Sequence, residues 1–287
     1  MASRNGAGKA ARIQCLARIA AILLLLGGPT LAAQTTAPAA PTSGPKLVLQ
    51  PGEALAITLG DDEVGEYGDA KVEVPMGGLA ELLWLRLEGA DWSARHLQYR
   101  CTGVEGPLAC SVKTGHGRVD VGKALQEGCD LAFLAWIRDA QKQWRQDFGE
   151  AAAWSRMEEV FGPFLGRRLP PGERLPPLTP AWVGQGDLLQ TSPEAMLRWL
   201  MAPDQGEVVV FGTRFLAGRW SEFSDLLGKA NWWFKTATVP SPGEPSATSA
   251  WVVGGRGNAL LVYHSARGRD GKAALARVQE IMKQPPR

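Results

Sequence analysis

Thiols, imidazoles and a few lysines are the groups in this chain whose types and spacing could do chemistry. Past the N-terminal segment the cysteines are Cys101, Cys110 and Cys129, and the chain's histidines are His96, His116 and His264. Cys101 and Cys110 flank Thr-Gly-Val-Glu-Gly-Pro-Leu-Ala. Its glycines and proline let a short loop fold back and bring the two sulfurs together, so a Cys101 to Cys110 disulfide is expected. Cys129 is then left over, reduced and shielded. A zinc site is the rival arrangement, but none of the three histidines stands from a cysteine at a usual structural-zinc spacing, so no metal is expected. A thiolate at Cys129 would be a strong nucleophile. Between Gly128 and the apolar Leu131 and Phe133, however, an inert buried thiol is the expected state.

The N-terminus explains why an odd thiol count matters. Residues 1–33 hold Arg4, Lys9, Arg12 and Arg18 and no acid, then the apolar run Ile19 to Leu26, then small residues ending at Ala33. A core this short reads as a secretory signal, not a membrane span, and it takes Cys15 with it. Export to the periplasm or medium, where thiols oxidise, follows; membrane attachment is expected only if the segment is uncleaved. Removing four of the 31 basic side chains leaves a mature chain slightly acidic against its 29 acids, so no nucleic-acid partner is expected. Residues 34–46, with three prolines and no apolar period, read as a linker. With 45% hydrophobic and 21% charged residues, the remainder has an ordinary globular composition, which excludes a disordered or fibrous chain.

Alternation predicts short strands at Lys46 to Gln50, Ala54 to Leu59 and Lys71 to Val74, and a helix from Leu79 that is apolar nearly all round and therefore buried. Helices are expected over Asp130 to Trp144 and Phe148 to Phe161, and Thr191-Ser192-Pro193-Glu194 reads as a capping box opening a helix to Met201. Strands follow at Glu207 to Phe211, Asn231 to Val239, Ser249 to Gly254 and Asn258 to Ser265, with a turn at Gly254 to Gly257. An amphipathic helix carrying Ala273, Leu275, Val278 and Ile281 closes the chain.

Three stretches within residues 70–283 give this layout a relative. Tyr99-Arg-Cys-Thr-Gly through Cys110 to Gly115-His-Gly-Arg-Val-Asp-Val-Gly-Lys-Ala-Leu-Gln-Glu-Gly-Cys-Asp-Leu-Ala-Phe133 resembles the approach to the second catalytic motif of elongation-type penicillin-binding proteins. Gly184-Gln-Gly186 with Thr191-Ser-Pro193, and Phe234-Lys-Thr-Ala-Thr-Val239 with Ala250-Trp-Val-Val-Gly254, are similar to later landmarks of the same transpeptidase domain and of class D β-lactamases. The resemblance implies an α/β (α+β) fold over residues 47–287, an antiparallel sheet flanked by helices, with a helical insertion at about 90–205.

The family's chemistry needs a serine at a helix N-terminus and a lysine one turn on to take its proton. The matching positions here are Gly78 and Glu81. Its second motif needs a serine and an asparagine two apart, and this chain has Gly128 and Asp130 around Cys129. Of its Lys-Thr-Gly strand motif, Lys235 and Thr236 survive, followed by Ala237. Lys235, Thr236 and Thr238 are the residues the resemblance leaves able to bind a ligand, while no catalytic set is intact. Two look-alikes fail on context. Ser43-Gly-Pro-Lys46 lies in the linker and cannot make the helical turn, and Lys113-Thr114-Gly115 sits in a loop beside Cys110.

Glu81 close to Lys235 is expected to form a structural ion pair. The residues thus favour an exported, non-catalytic domain that binds a cell-wall peptide or a periplasmic protein and needs no cofactor. The alternative is an enzyme with changed chemistry through Glu81 or Cys129, with Glu81 activating a water. Trp232 and Trp233, two of the 11 tryptophans, suggest a sugar platform, but alternation sends them to opposite faces of a strand and at least one into the core.

Overall fold

The computed structural model describes residues 47–59, 64–105, 108–110, 112–166, 178–202, 206–223, 231–241, 244–266, 268 and 270–283. The expected signal, the linker and the Ser43 to Lys46 look-alike lie outside them.

The central sheet is antiparallel and five-stranded, from β1 (Glu53–Leu59), β2 (Gly65–Gly68), β9 (Trp233–Ser241), β10 (Glu244–Arg256) and β11 (Ala259–Ser265), in the order β2-β1-β11-β10-β9. Period-two alternation gives it two apolar faces. Leu55, Trp232, Phe234, Val252 and Tyr263 pack with Ala274, Leu275, Val278 and Ile281 of the C-terminal helix α7 (Gly271–Met282). Ala56, Trp233, Ala237, Trp251 and Val262 face the main body of helices. Neighbouring Trp232 and Trp233 therefore serve opposite cores, each 1% exposed, and form no sugar platform. Arg277 fixes α7 to the sheet, its Nε donating to Glu53 Oε1 at 2.9 Å while Tyr263 Oη donates to the same oxygen at 3.0 Å.

The body holds α1 (Ala80–Ala94), α2 (Val121–Glu127), α3 (Asp130–Phe148), α4 (Glu150–Phe161), α5 (Pro193–Met201) and α6 (Gly206–Phe211). Between them lie three two-stranded ribbons: β3 (Val74–Pro75) with β8 (Gln190–Thr191), β4 (Gln98–Cys101) with β7 (Gly117–Asp120), and β5 (Val104–Glu105) with β6 (Leu108–Ala109). As its sequence demands, α1 is buried, with Leu82, Leu83, Trp84 and Leu85 all at 0% exposure.

Several expected elements differ. Glu207 to Phe211 lies in α6, not a strand, because Val208 and Phe211 point inward one turn apart while Val210 stays outside. Phe211 seats on Gly89 of α1, where any Cβ would come within 2.6 Å of its ring. That tertiary contact overrides the β-branched run. Residues 47–50 form no strand, and of Lys71 to Val74 only Val74 does, in β3. The N-cap of α5 is Ser192, one residue later than the expected box begins, with its hydroxyl accepting from Ala195 N at 3.1 Å. The sheet also continues past Gly254, so that β10 turns only at Gly257 and Asn258.

Candidate functional site

A cleft of about 460 Å³ opens where the start of α1, strand β9, the α2–α3 junction and the Gly184 to Gly186 loop converge. The fold thus brings together the expected motif positions Gly78, Glu81, Gly128, Asp130, Lys235 and Ala237.

Gly77–Leu79 forms a 3₁₀ turn leading into α1. Gly77 has φ +56°, and a Cβ there would stand 2.5 Å from Val239 Cγ1, so glycine is what lets the helix start press on β9. Gly78 is different. A Cβ on it would sit 3.7 Å from Ala237 Cβ and 4.0 Å from Lys235 Nζ, ordinary contacts. The Gly78 position is spacious and carries no side-chain atom that could be acylated.

Glu81 lies one turn on, at 0% exposure. Lys235 Nζ, itself 4% exposed, donates to Glu81 Oε2 at 2.5 Å and to Leu125 O at 2.8 Å. The ion pair read from the sequence is present. Glu81 Oε1 has no hydrogen-bond partner among the described residues. Burial pushes the Glu81 carboxyl up to about 7, against the pull of the Lys235 ammonium. The carboxylate thus engages the ammonium on the β9 wall of the cleft.

On the opposite wall, α2 ends on Gly128 with φ +65°, and α3 begins at Asp130. Asp130 Oδ2 accepts from Gln185 Nε2 at 2.7 Å, and burial raises its carboxyl to about 6. Neither Gly128 nor Asp130 offers the relay hydroxyl or amide of the second motif. Across the cleft β9 is the sheet's edge, and its residues from Lys235 to Val239 line the cleft. Thr236 puts its side chain on the other face, against Gly271, and Thr238 is exposed. Both residues line the cleft. Lys113-Thr114-Gly115 stands in the loop before β7, off the cleft.

Behind the Gly128 to Asp130 wall the structure corrects the cysteine reading. Cys101 and Cys110 are not joined, and all three described cysteines are free thiols. The short loop does bring Cys101 and Cys110 near each other, but Cys129 and His116 meet them there. The three Sγ atoms and one imidazole nitrogen lie within 4.8 Å of one another, with Cys110 Sγ 3.4 Å from His116 Nδ1. The neighbouring Cys129 foremost, with His116 and Cys101, holds the Cys110 thiol below the ordinary value, while Cys110 and burial push Cys129 above it.

Three soft sulfurs and an imidazole suit a tetrahedral zinc ion, whose bonds of about 2.0–2.3 Å place its ligands somewhat under 4 Å apart. Linear spacing argued against such a cluster because its four groups come from separate places: the end of β4, the residue after β6, the residue before β7 and the α2–α3 junction. The signal was the short step from Cys110 to His116 beside a third cysteine. Cys129 is 0% exposed within this cluster, which removes it as a cleft nucleophile.

No family model matches the chain, and no curated protein does. Solved structures do. The D,D-transpeptidase domain of a peptidoglycan glycosyltransferase from Eggerthella lenta aligns at TM-score 0.59 and 12% identity, covering 81% of this chain and 77% of its own. The fold is that of penicillin-binding transpeptidase domains and class D β-lactamases. The class D β-lactamase BAT-2 aligns at 0.51 and 13% identity over 80% of this chain and 90% of its own. Penicillin-binding protein PBP2 of Helicobacter pylori, solved in complex with MreC, aligns at 0.55 and 14% identity over 81% of this chain and 59% of its own. In this chain the cleft of that fold is lined by Gly78, Glu81, Gly128, Asp130 and Lys235.

Proposed function

We propose that this protein is an exported, non-catalytic domain of the penicillin-binding fold that takes an extended cell-wall peptide into its cleft. The Glu81 to Lys235 pair carries the reading. Acyl transfer on a serine needs a nucleophile and a free base, and here Gly78 supplies no oxygen while the group one turn on is a carboxylate spent on Lys235. Hydrolysis through Glu81 is disfavoured for the same reason, since its partnered oxygen is committed and the residue is fully buried.

What remains is a cleft bounded by the edge of β9, whose outward backbone groups can pair with an extended peptide. A protein segment is the other occupant such an edge accepts, and the MreC complex of the Helicobacter pylori relative makes a protein partner reasonable. Among the described residues no helix is long and apolar enough to cross a membrane. Export rests on the N-terminal charge and apolar pattern.

Calorimetric titration with an uncrosslinked stem peptide tests the reading. Binding is expected, and Gly78→Leu, whose side chain has room to enter the cleft, should weaken it at least tenfold with the fold intact. Binding of equal strength in that variant, or none to the parent protein at millimolar peptide, would contradict the cleft assignment.

A further inference from the structure

We propose that the cleft selects a peptide by a primary ammonium group, received between Glu81 and Asp130, and not by a carboxylate. It would then favour an uncrosslinked stem peptide over one whose amine is already bound in a crosslink. The inference rests on the cleft reading above and adds to it the chemistry of the group recognised.

Charge along the cleft is the first observation. Among the described residues that line it, three carboxyl groups, those of Glu81, Glu127 and Asp130, stand against the single ammonium of Lys235. That ammonium is already committed. Of its three N–H donors, Lys235 spends one on Glu81 Oε2 at 2.5 Å and one on Leu125 O at 2.8 Å. An anionic ligand would meet one remaining donor and a surplus of negative charge. A cationic ligand meets the surplus, and after it enters the lining still has more carboxylates than ammonium groups.

The second observation is an acceptor without a donor. Glu81 is 0% exposed, and its Oε1 has no hydrogen-bond partner among the described residues. A buried acceptor left unpaired is costly, and a ligand N–H that satisfies it removes that cost on binding. Room for the donor lies nearby. A Cβ at Gly78, one turn before Glu81, would stand 4.0 Å from Lys235 Nζ and 3.7 Å from Ala237 Cβ, so the lining leaves space next to the ion pair. On the opposite wall Asp130 is held by one oxygen, Oδ2, which accepts from Gln185 Nε2 at 2.7 Å, and this fixes its carboxylate on the same cleft. An ammonium, charged and with three donors, can bridge the two carboxylates, whereas a neutral amide nitrogen with one N–H cannot. Crosslinking makes that change, because acylation of the amine nitrogen removes its positive charge.

Titration calorimetry at pH 8 with three synthetic stem peptides tests the inference. One has its side-chain amine free, one has that amine acetylated, and one has the amine free but the C-terminal carboxylate converted to the amide. Acetylation should weaken binding by about tenfold or more, the loss of a charge-assisted contact. Amidation should leave the affinity unchanged or improve it. Asp130→Asn, which keeps an oxygen for Gln185, should narrow the difference between the free-amine and acetylated peptides by weakening only the first.

The comparison among peptides needs no variant, so it decides the matter even if Asp130→Asn does not fold. Equal binding of the free-amine and acetylated peptides, a loss on amidation as large as that on acetylation, or an undiminished preference in folded Asp130→Asn would each overturn the inference and leave the cleft reading in place. Binding of none of the three peptides would overturn that reading and the inference with it.

Discussion

Lys235 Nζ donates to Glu81 Oε2 across 2.5 Å where neither side chain is more than 4% exposed. Buried pairs of this kind contribute little net stability when complete but are costly when halved, because the remaining charge is left in a poorly solvated place. Lys235→Met should therefore destabilise the protein by about 3–5 kcal/mol at pH 8. Adding Glu81→Leu should recover most of the loss. Urea midpoints of the parent, both single variants and the double variant measure the coupling; additive losses would mean that the pair is not a unit.

The same carboxyl gives a pH dependence. Native Glu81 keeps its proton to about 7, whereas an unfolded glutamate releases it near 4.5. Between those values the native state binds more protons, so stability is fully present below about 4.5 and falls as pH rises through 7. Asp130, raised to about 6, adds loss of the same sign at lower pH. The Glu81 part is on the order of 3 kcal/mol. Urea unfolding from pH 5 to pH 8 should show the decline, and Glu81→Gln should flatten its upper end. Stability that rises over this range would contradict the assignment.

Gly184 and Gly186 separate two reasons for glycine in one loop. Both have positive φ, +90° and +87°, but a Cβ on Gly184 would lie 1.7 Å from Gly77 O, while nothing stands within 4 Å of one on Gly186. Gly186→Ala should cost about 1 kcal/mol through backbone strain alone. Gly184→Ala must also push the Gly77 turn off the loop, and should cost more than 3 kcal/mol. Thermal unfolding ranks the two; equal losses would mean that the loop does not bear on the start of α1.

Much of this architecture was legible in the sequence. Alternation located β1, β9, β10 and β11, and the all-round apolar run located α1, because both patterns record burial directly. The convergence of Gly78, Glu81, Gly128, Asp130, Lys235 and Ala237 on one cleft was legible too, since Gly78 and Glu81 stand one helical turn apart at the start of α1. Position 206–211 was not, because a short β-branched run fits strand and helix alike until Gly89 offers Phe211 its seat. The cysteine cluster was hidden for a different reason. Its three sulfurs and the imidazole are brought together by the pairing of β4 with β7 and by the α2–α3 junction, and linear spacing between Cys101 and Cys129 does not reveal that convergence.

Restoring chemistry should require more than a nucleophile. Gly78→Ser meets no clash, so it should fold with a melting temperature within a few degrees of the parent. It should nevertheless remain unlabelled by fluorescent penicillin, because Glu81 stays bound to Lys235 and Gly128 supplies no relay. Such groups act as a unit, and losing one commonly costs on the order of a million-fold. Adding Glu81→Lys should give at most feeble labelling until Gly128→Ser and Ala237→Gly are present as well. Strong labelling from Gly78→Ser alone would show that another residue acts as the base.

The central claim is that this cleft has no acyl-transfer chemistry, and the intact mass of the protein after incubation with a β-lactam tests it most directly. The account predicts an unchanged mass at saturating drug over hours, since Gly78 presents no oxygen and Cys129 is buried behind the wall. A stoichiometric increase equal to the drug's mass, mapped to any residue of the cleft, would contradict it.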